Sequence, residues 1–445
     1  MRTLATRLSG HRGKPASLAS KEREEALETE EQGPVRGRGE PGRRRHVLFL
    51  IENQPYPYDP RVRGQAAALL AAGYRVTVAA PTGERSESLE ETIEGVRVRR
   101  YRAPAPGRGL GGYVLEYLLS SVQLQRILWR THRREPVDAV FVCSPPDFLV
   151  LLALPLARRG AAVVFDNREL SPELFETKFR RQGTLHRCLL LAERLGFRHA
   201  DVVLVTNGSY AANAHVRGGV DPERVFVVGN GPDRQRIFPV KPRPELRRGR
   251  DHLVLWMGAM SQQEGLELLI DAADELVNHR GRTDVTFALV GPGDVHDALK
   301  SEVVRRQLEG VVDLPGRVND ELVRAYLATA DVCVGVDVRS PMNDRAAMRK
   351  VFEYMAMGRA VVQFPLPEMR RLCGDATAYA RNGDSTQLAE RIEELLDDPQ
   401  QRQRLGEEAQ LQLSRQELMW QDQVPSLLAA VDTAFHQASV RSRKR

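Results

Sequence analysis

Asn343 to Gly358 reads N-D-R-A-A-M-R-K-V-F-E-Y-M-A-M-G. This predicts a short helix that begins in a polar loop, carries Lys350 and Glu353 on one face and stops at a glycine. Asn343 or Asp344 can cap its first turn, and Gly358 suits the left-handed residue that ends many helices. Unbonded N–H groups at such a start favour an anion, and a lysine three residues ahead of a carboxylate lies beside it. An ammonium for phosphate next to a carboxylate for hydroxyls fits a nucleotide-sugar. The competing reading is an amphipathic helix that packs Val351, Phe352, Met355 and Ala356 into a core, and the surrounding sequence has to decide.

The elements that would position this pair belong to a chain of 445 residues, too long for one core and suited to two domains. Hydrophobic content of 42% and charged content of 28% describe a folded, soluble protein. The net charge of +6 sits at the ends: residues 1–45 carry a surplus of four positive charges and Arg441 to Arg445 another four. The body between is slightly acidic, which argues against nucleic acid as a partner, since that needs a basic face on the fold. Residues 1–45 read as a disordered extension without an apolar run, and residues 436–445 as a basic tail. The longest apolar stretch, Phe148 to Leu156, is too short to span a bilayer. Cys143, Cys188, Cys333 and Cys373 are far apart among apolar neighbours, as reduced core cysteines are in a cytoplasmic protein. The histidines are scattered and no D-x-D triplet occurs, so no metal site is expected.

Strand and helix signals alternate. His46 to Ile51 is a continuous apolar run of the kind buried in parallel sheets, followed by a helix from about Arg61 to Ala72 and a strand Tyr74 to Ala79. Further strands are expected at Val96–Tyr101, Ala139–Cys143, Ala162–Phe165, Val202–Val205 and Val225–Val228. After a Pro/Arg-rich linker over 239–250, a second series runs Leu253–Met257, Thr286–Val290, Val311–Leu314, Val332–Val336 and Ala360–Phe364, again with helices between. The pattern is α/β, with two Rossmann-like, doubly wound parallel-sheet domains over 46–238 and 251–415. Ligands of such sheets bind at the carboxyl ends of the strands, so two facing edges define one cleft. A last helix over 416–435, with Trp420, Val424, Leu427, Leu428 and Val431 along one side, is expected to pack back on the first domain.

Taken in order, several segments resemble the retaining glycosyltransferases of family 4, which have the GT-B fold. In the first domain these are D-P-R-V (Asp59 to Val62), L-L-A-A-G-Y-R-V-T-V-A-A (Leu69 to Ala80), D-N-R-E-L-S-P-E (Asp166 to Glu173) and V-V-G-N-G-P-D (Val227 to Asp233). In the second they are the run from Gly258 to Ala273, V-G-P-G-D (Val290 to Asp294) and K-V-F-E-Y-M-A-M-G (Lys350 to Gly358). The resemblance implies a first domain for the acceptor and a second for a nucleoside-diphosphate sugar, with no obligatory metal or other cofactor. It implies donor contacts from Gly258, Asn230, Gly231, Gly291, Gly293, Arg345, Lys350, Glu353 and Tyr354, with Glu353 on the ribose hydroxyls. Lys350, Glu353, Glu169 and Arg168 form the candidate catalytic set. Positive groups would stabilise the departing diphosphate, and an acceptor hydroxyl would attack from the same face.

The sequence departs from the family pattern at four places. Arg345 stands where an acid is usual, Ala259 and Glu264 where an arginine and a lysine normally face the diphosphate, and Arg168 where a histidine is common. Arg345, Arg349 and Lys350 are the expected replacement cations. Arg168 could bind a phosphate through its planar guanidinium, while Glu169 could equally orient the helix that Ser171-Pro172 begins. Gly109 to Arg134 joins an apolar helix to a cationic end. It either buries that face or dips it into a membrane interface to meet a lipid-linked glycan. The resulting expectation is a cytoplasmic glycosyltransferase acting on a cell-envelope or exopolysaccharide precursor, peripheral at the inner face of the plasma membrane where its acceptor is a lipid. The alternatives are a nucleotide-sugar 2-epimerase-like enzyme and a degenerate, non-catalytic GT-B scaffold.

Overall fold

The computed structural model describes residues 43–83, 88–102, 109–179 and 182–444. Of the extension read over 1–45, all but three residues lie outside that range. Within it, Arg43 donates to Asp138 Oδ2 at 3.0 Å and Arg45 lies over the ring of Phe435 at 4.2 Å.

The first sheet has eight strands: β1 (His46–Leu50), β2 (Arg75–Pro81), β3 (Glu90–Ile93), β4 (Val96–Tyr101), β5 (Ala139–Cys143), β6 (Ala162–Asn167), β7 (Val202–Val205) and β8 (Val225–Val227). Their spatial order is β3-β4-β2-β1-β5-β6-β7-β8. All neighbours are parallel except the edge strand β3, which runs antiparallel to β4 and carries too little apolar pattern to be legible beforehand. Every residue of β1 and β5 is buried because helices cover both faces, which is why these strands are apolar without alternation. The second sheet holds β9 (His252–Met257), β10 (Val285–Val290), β11 (Val312–Gly316), β12 (Val332–Gly335), β13 (Ala360–Gln363) and β14 (Ala378–Tyr379), ordered β11-β10-β9-β12-β13-β14 and all parallel. Both sheets are the doubly wound parallel type, and the architecture is GT-B.

Local chemistry sets the helices in register with the strands. Asp59 caps the helix Pro60–Ala71 by accepting from the N–H groups of Arg61 and Val62, with Pro60 at the first helical position. The last helix, Trp420–Arg443, lies against the first sheet: Trp420, Leu427, Ala430, Val431, Ala434 and Ala438 share a core with Val47, Phe49, Ala162 and Leu204. It starts later than residue 416 and continues through Arg443, so most of the stretch read as a basic tail is helical. The chain crosses back to the first domain where Trp420 N–H donates to the Pro232 carbonyl at 3.0 Å. A Cβ on Gly231 would lie 1.9 Å from the Leu418 oxygen, so this junction tolerates only glycine.

Two further expectations are corrected. Cys188 is exposed, while Cys143, Cys333 and Cys373 are buried. The helix Gly109–Arg134 divides its apolar residues: Leu124 and Leu128 are in the core, whereas Leu115, Leu118, Leu119 and Val122 face solvent. No helix among the described residues is long and apolar enough to cross a membrane.

Candidate functional site

The stretch from Asn343 is not one helix. Residues Asn343–Arg345 form a single tight turn, the chain extends through Ala346, and the α-helix runs only from Arg349 to Ala356. Its N-cap is Met348, with no side-chain cap, so neither Asn343 nor Asp344 serves it. Asn343 instead donates from Nδ2 to the Val338 carbonyl at 2.8 Å. The stop behaves as expected: Gly358 has φ +64°, and Arg359 N–H reaches the Tyr354 carbonyl at 3.1 Å. The break separates Arg345 from Lys350, and the three cations Arg345, Arg349 and Lys350 do not converge.

Lys350 points to the carboxyl ends of β9 and β12. Its ammonium pairs with Glu264, which follows β9, and with Asp337 Oδ1 at 3.0 Å, just after β12; it also lies 5.1 Å from the Trp256 ring centroid. Burial opposes the charge, but Asp337 and Glu264 outweigh it and hold the lysine above its ordinary range. Burial, with Asp337 adding to it, pushes the Glu264 carboxyl up against the pull of Lys350. Position 264, a cation by family pattern, therefore neutralises the lysine expected to replace it.

Glu353 lies one turn further along. Its Oε1 accepts from Arg349 Nε at 3.0 Å and from Arg236 Nη1 at 2.8 Å, and Arg236 also pairs with Asp320 at 3.0 Å. The sequence reading missed Arg236, because nothing in its local pattern marks it. Tyr354 is fully buried, and its hydroxyl accepts from Met257 N–H at 2.8 Å. It ties the helix to the end of β9 and is walled off from the cleft.

The glycines after β10 pack on the backbone that follows β9, while Gly258 lies against the Trp256 ring. A Cβ on Gly291 (φ +145°) would sit 1.8 Å from the Gly258 oxygen, and one on Gly293 would sit 1.9 Å from the Met260 oxygen. Met260 N–H donates to the Pro292 carbonyl at 2.7 Å, which fastens the two loops together. The glycines thus keep the strand ends closely joined.

On the first domain the carboxyl ends of β5, β6 and β8 hold an ionic cluster. Arg61 is buried and donates to Asp166 Oδ1 at 2.6 Å, to the Val228 carbonyl at 2.5 Å and to Asn230 Oδ1 at 2.9 Å. Asn230 is thus a partner of Arg61. Arg168 pairs with Asp59 and donates to Asn53 Oδ1 at 3.0 Å and the Ser144 carbonyl at 2.9 Å. Glu169 has no hydrogen-bond partner among the described residues, and burial raises its pKa against the pull of Arg168. Beside it Asp147 is 2% exposed, and the neighbouring Ser171 hydroxyl eases the burial of its carboxylate only in part. Burial, reinforced by Glu193 and Glu169, lifts Asp147 to about 8.

The two domains meet where Asn207 Nδ2 donates to the Arg345 carbonyl at 3.0 Å and Ser209 Oγ to Glu368 Oε2 at 2.6 Å. Next to these contacts, Glu173 and Glu176 of the first domain and Arg339, Asp344 and Arg345 of the second line an interdomain cavity of about 550 Å³. No group of three or more His, Cys, Asp or Glu side chains among the described residues is arranged to hold a metal ion.

Residues 58–231 match the family model of the glycosyl transferase 4-like domain, and residues 251–398 match that of glycosyl transferases group 1. By fold and by these two domains the chain is of the GT-B glycosyltransferase class. Among curated proteins it is 29% identical, over 159 residues, to the alpha-D-kanosaminyltransferase of Streptomyces kanamyceticus, covering 35% of this chain and 39% of that one. The chain spans about two fifths of the length of the curated relatives it matches. Among solved structures it resembles the sucrose-phosphate synthase of Thermosynechococcus elongatus (TM-score 0.70, 16% identity, 86% of this chain and 97% of that chain). It also resembles Anabaena HepE in complex with UDP-glucose (TM-score 0.62, 18% identity, 89% and 99%). At these identities the structural likeness speaks for the fold alone.

Proposed function

We propose that the protein transfers a sugar from a nucleoside-diphosphate sugar, held mainly by the second domain, to a glycan or lipid-linked glycan acceptor of the cell envelope or an exopolysaccharide. The observation that carries this reading is the succession of two glycosyltransferase domain matches over two parallel sheets, with Glu353 at the carboxyl end of the second. HepE, of like fold, was solved with UDP-glucose, which supports the same class of donor here. Glu353 takes the ribose hydroxyls, for a carboxylate can accept both hydrogen bonds of a vicinal diol. The bond from the anomeric carbon to the diphosphate breaks as the acceptor oxygen attacks from the same face, and the acceptor proton passes to the departing phosphate oxygen. This retaining transfer proceeds without a metal. The diphosphate draws Lys350 away from Glu264, so that donor binding exchanges one anionic partner of the lysine for another. Glu169 and Arg168 orient the acceptor from the first domain.

The exposed Leu115, Leu118, Leu119 and Val122 support a lipid-linked acceptor met at a membrane surface, on the cytoplasmic side. Donor-dependent release of nucleoside diphosphate, measured for wild type and Glu353→Gln across a panel of nucleotide-sugars, tests the reading. Loss of release in a folded variant is expected, and equal behaviour of the two proteins across the panel overturns it. Product analysis without acceptor separates transfer from 2-epimerisation. One observation favours a second reading, a non-catalytic scaffold: Arg349 and Lys350, two of the three cations expected at the phosphate end, already have protein carboxylates as partners. Calorimetric absence of binding to any nucleoside diphosphate would select it.

A further inference from the structure

A second cavity, of about 480 Å³, opens at the end of the first domain away from the cleft. Its wall includes Asp201 and Arg224, which immediately precede β7 and β8, and so lies at the amino ends of those strands. Three helices finish there: Val150–Ala157, Thr184–His199 and Trp420–Arg443. Five cationic side chains line the space, Arg158, Arg198, Arg224, Arg441 and Lys444, against one carboxylate, Asp201. His199 adds little charge at neutral pH, because burial and then Arg198 and Arg158 lower its pKa.

Basic residues at helix ends have an ordinary duty, to satisfy the last carbonyls and balance the partial negative charge of the helix. Two of the five perform it. Arg224 donates from Nε to the Asp201 carbonyl at 2.9 Å and also reaches the Ala200 carbonyl. Arg441 pairs with Asp201 and donates to the Ala161 and Ala157 carbonyls at 2.6 and 3.2 Å. Asp201 Oδ2 is taken by Val163 N–H at 2.8 Å. The duty is thereby discharged, yet Arg158, Arg198 and Lys444 remain without a hydrogen-bond or ion-pair partner among the described residues. The Nε–H of Arg441 is also buried without an acceptor. Counting about half a negative charge for each helix end, together with Asp201, leaves a surplus of between two and three positive charges around the cavity, where Arg158, Arg198 and Lys444 are exposed. The volume falls within the range of small-molecule sites, and guanidinium forks match phosphoryl oxygens two at a time.

We propose that this cavity is a binding site for a phosphate-bearing ligand, a phosphate monoester or diphosphate, separate from the cleft. The two sources of that chemistry are a soluble phosphorylated metabolite and a lipid headgroup. The probes are inorganic pyrophosphate, titrated calorimetrically, and vesicles containing phosphatidic acid, tested by co-sedimentation. Each is applied to the wild-type chain, to Arg158→Ser/Arg198→Ser and to Lys444→Ser, with thermal unfolding as the control for fold. A pyrophosphate site present in wild type and weakened at least about tenfold in the double variant supports the proposal with a soluble ligand. Vesicle binding reduced by the same substitutions, without free pyrophosphate binding, supports it with a headgroup. Binding of both probes that is absent, or unchanged by either variant, overturns it. Pyrophosphate held in the cleft survives these substitutions, so failure here is distinguishable from failure of the transferase reading.

Discussion

Lys350 and Glu264 stand 86 positions apart in the chain, and the ammonium of one is paired with the carboxylate of the other at the mouth of the second sheet. Asp337 completes the group, so one cation is shared by two acids in a largely buried place. A pair that loses one partner leaves an uncompensated buried charge, typically at a cost of about 3–5 kcal/mol. Lys350→Met is therefore expected to lower stability by about that amount in urea denaturation, and charge reversal to Lys350→Glu by more. Glu264→Gln relieves the crowding of two acids and leaves Lys350 with Asp337. If the lysine meets the donor diphosphate, Glu264→Gln should tighten nucleoside-diphosphate binding by about tenfold in calorimetric titration. Unchanged or weaker binding would separate Lys350 from the phosphate role.

Glu353 holds Arg236 and Arg349 through one oxygen, Oε1. Glu353→Gln keeps an oxygen that can accept from both arginines, so its cost in stability should be about 1 kcal/mol. Its second oxygen meets the ribose in the proposed reading, and the amide NH2 that replaces it donates and accepts no hydroxyl hydrogen. The expected kinetic signature is a rise of about tenfold or more in KM for the donor, with a smaller change in kcat, because the ribose is bound alike in ground and transition states. A change confined to kcat would move Glu353 from holding the nucleotide to the reacting centre.

Asp147 makes stability depend on pH in a definite direction. Its folded pKa of about 8 lies above the unfolded value of 3.8, so between those values the folded state holds a proton that the unfolded state has lost. Stability from this group accordingly rises as pH falls from 8 towards 4, by up to about 1.4 kcal/mol per unit. Above pH 8 the penalty is at its full size and constant. Asp147→Asn removes the titration, and the difference between variant and wild type in urea denaturation should grow from pH 5 to pH 8. A constant difference over that window would mean that water or another group solvates the carboxylate.

Much of the fold was legible because burial on both faces leaves long apolar strands and regularly spaced helices, as in β1, β5 and β10. The edge strand β3 escaped because three of its four residues are exposed and only Ile93 is half-buried. The site was legible only in part. Gly258, Gly291 and Gly293 could be identified as positions needing glycine, yet sequence does not say whether a ligand or a neighbouring loop occupies the missing Cβ. Glu264, Arg61 and Arg236 act through partners more than 80 residues away and Asp337 through one 13 away, and no local period records such pairs. The break after Arg345 was hidden as well, since A-A-M has good helix propensity and the break follows from tertiary contacts such as the bond of Asn207 to the Arg345 carbonyl.

Gly231 is where the returning chain crosses the domain junction, and it offers the sharpest test of how the last helix holds the first domain. A methyl group there would lie 1.9 Å from the Leu418 oxygen and 2.8 Å from the Met419 carbonyl carbon, both of them backbone atoms that no rotamer change can move. Gly231→Ala must push residues 418–420 outward, stretching the Trp420 N–H bond to Pro232 and loosening the Trp420 ring, which itself lies against Gly64. Overpacking of this kind costs about 1–3 kcal/mol, and more when backbone must shift. The expected outcome is a loss of about 3 kcal/mol in denaturation, with the segment from residue 416 onward becoming sensitive to protease. Gly310→Ala is the control: its Cβ would approach only Arg250 Nη2, at 3.8 Å, so its effect should stay within about 0.5 kcal/mol. Because the helix Trp420–Arg443 begins beside the Arg61–Asn230 cluster, Gly231→Ala should also disturb the cleft and reduce donor turnover at temperatures well below its unfolding. A variant that is destabilised but retains full turnover would confine the crossing to a structural role.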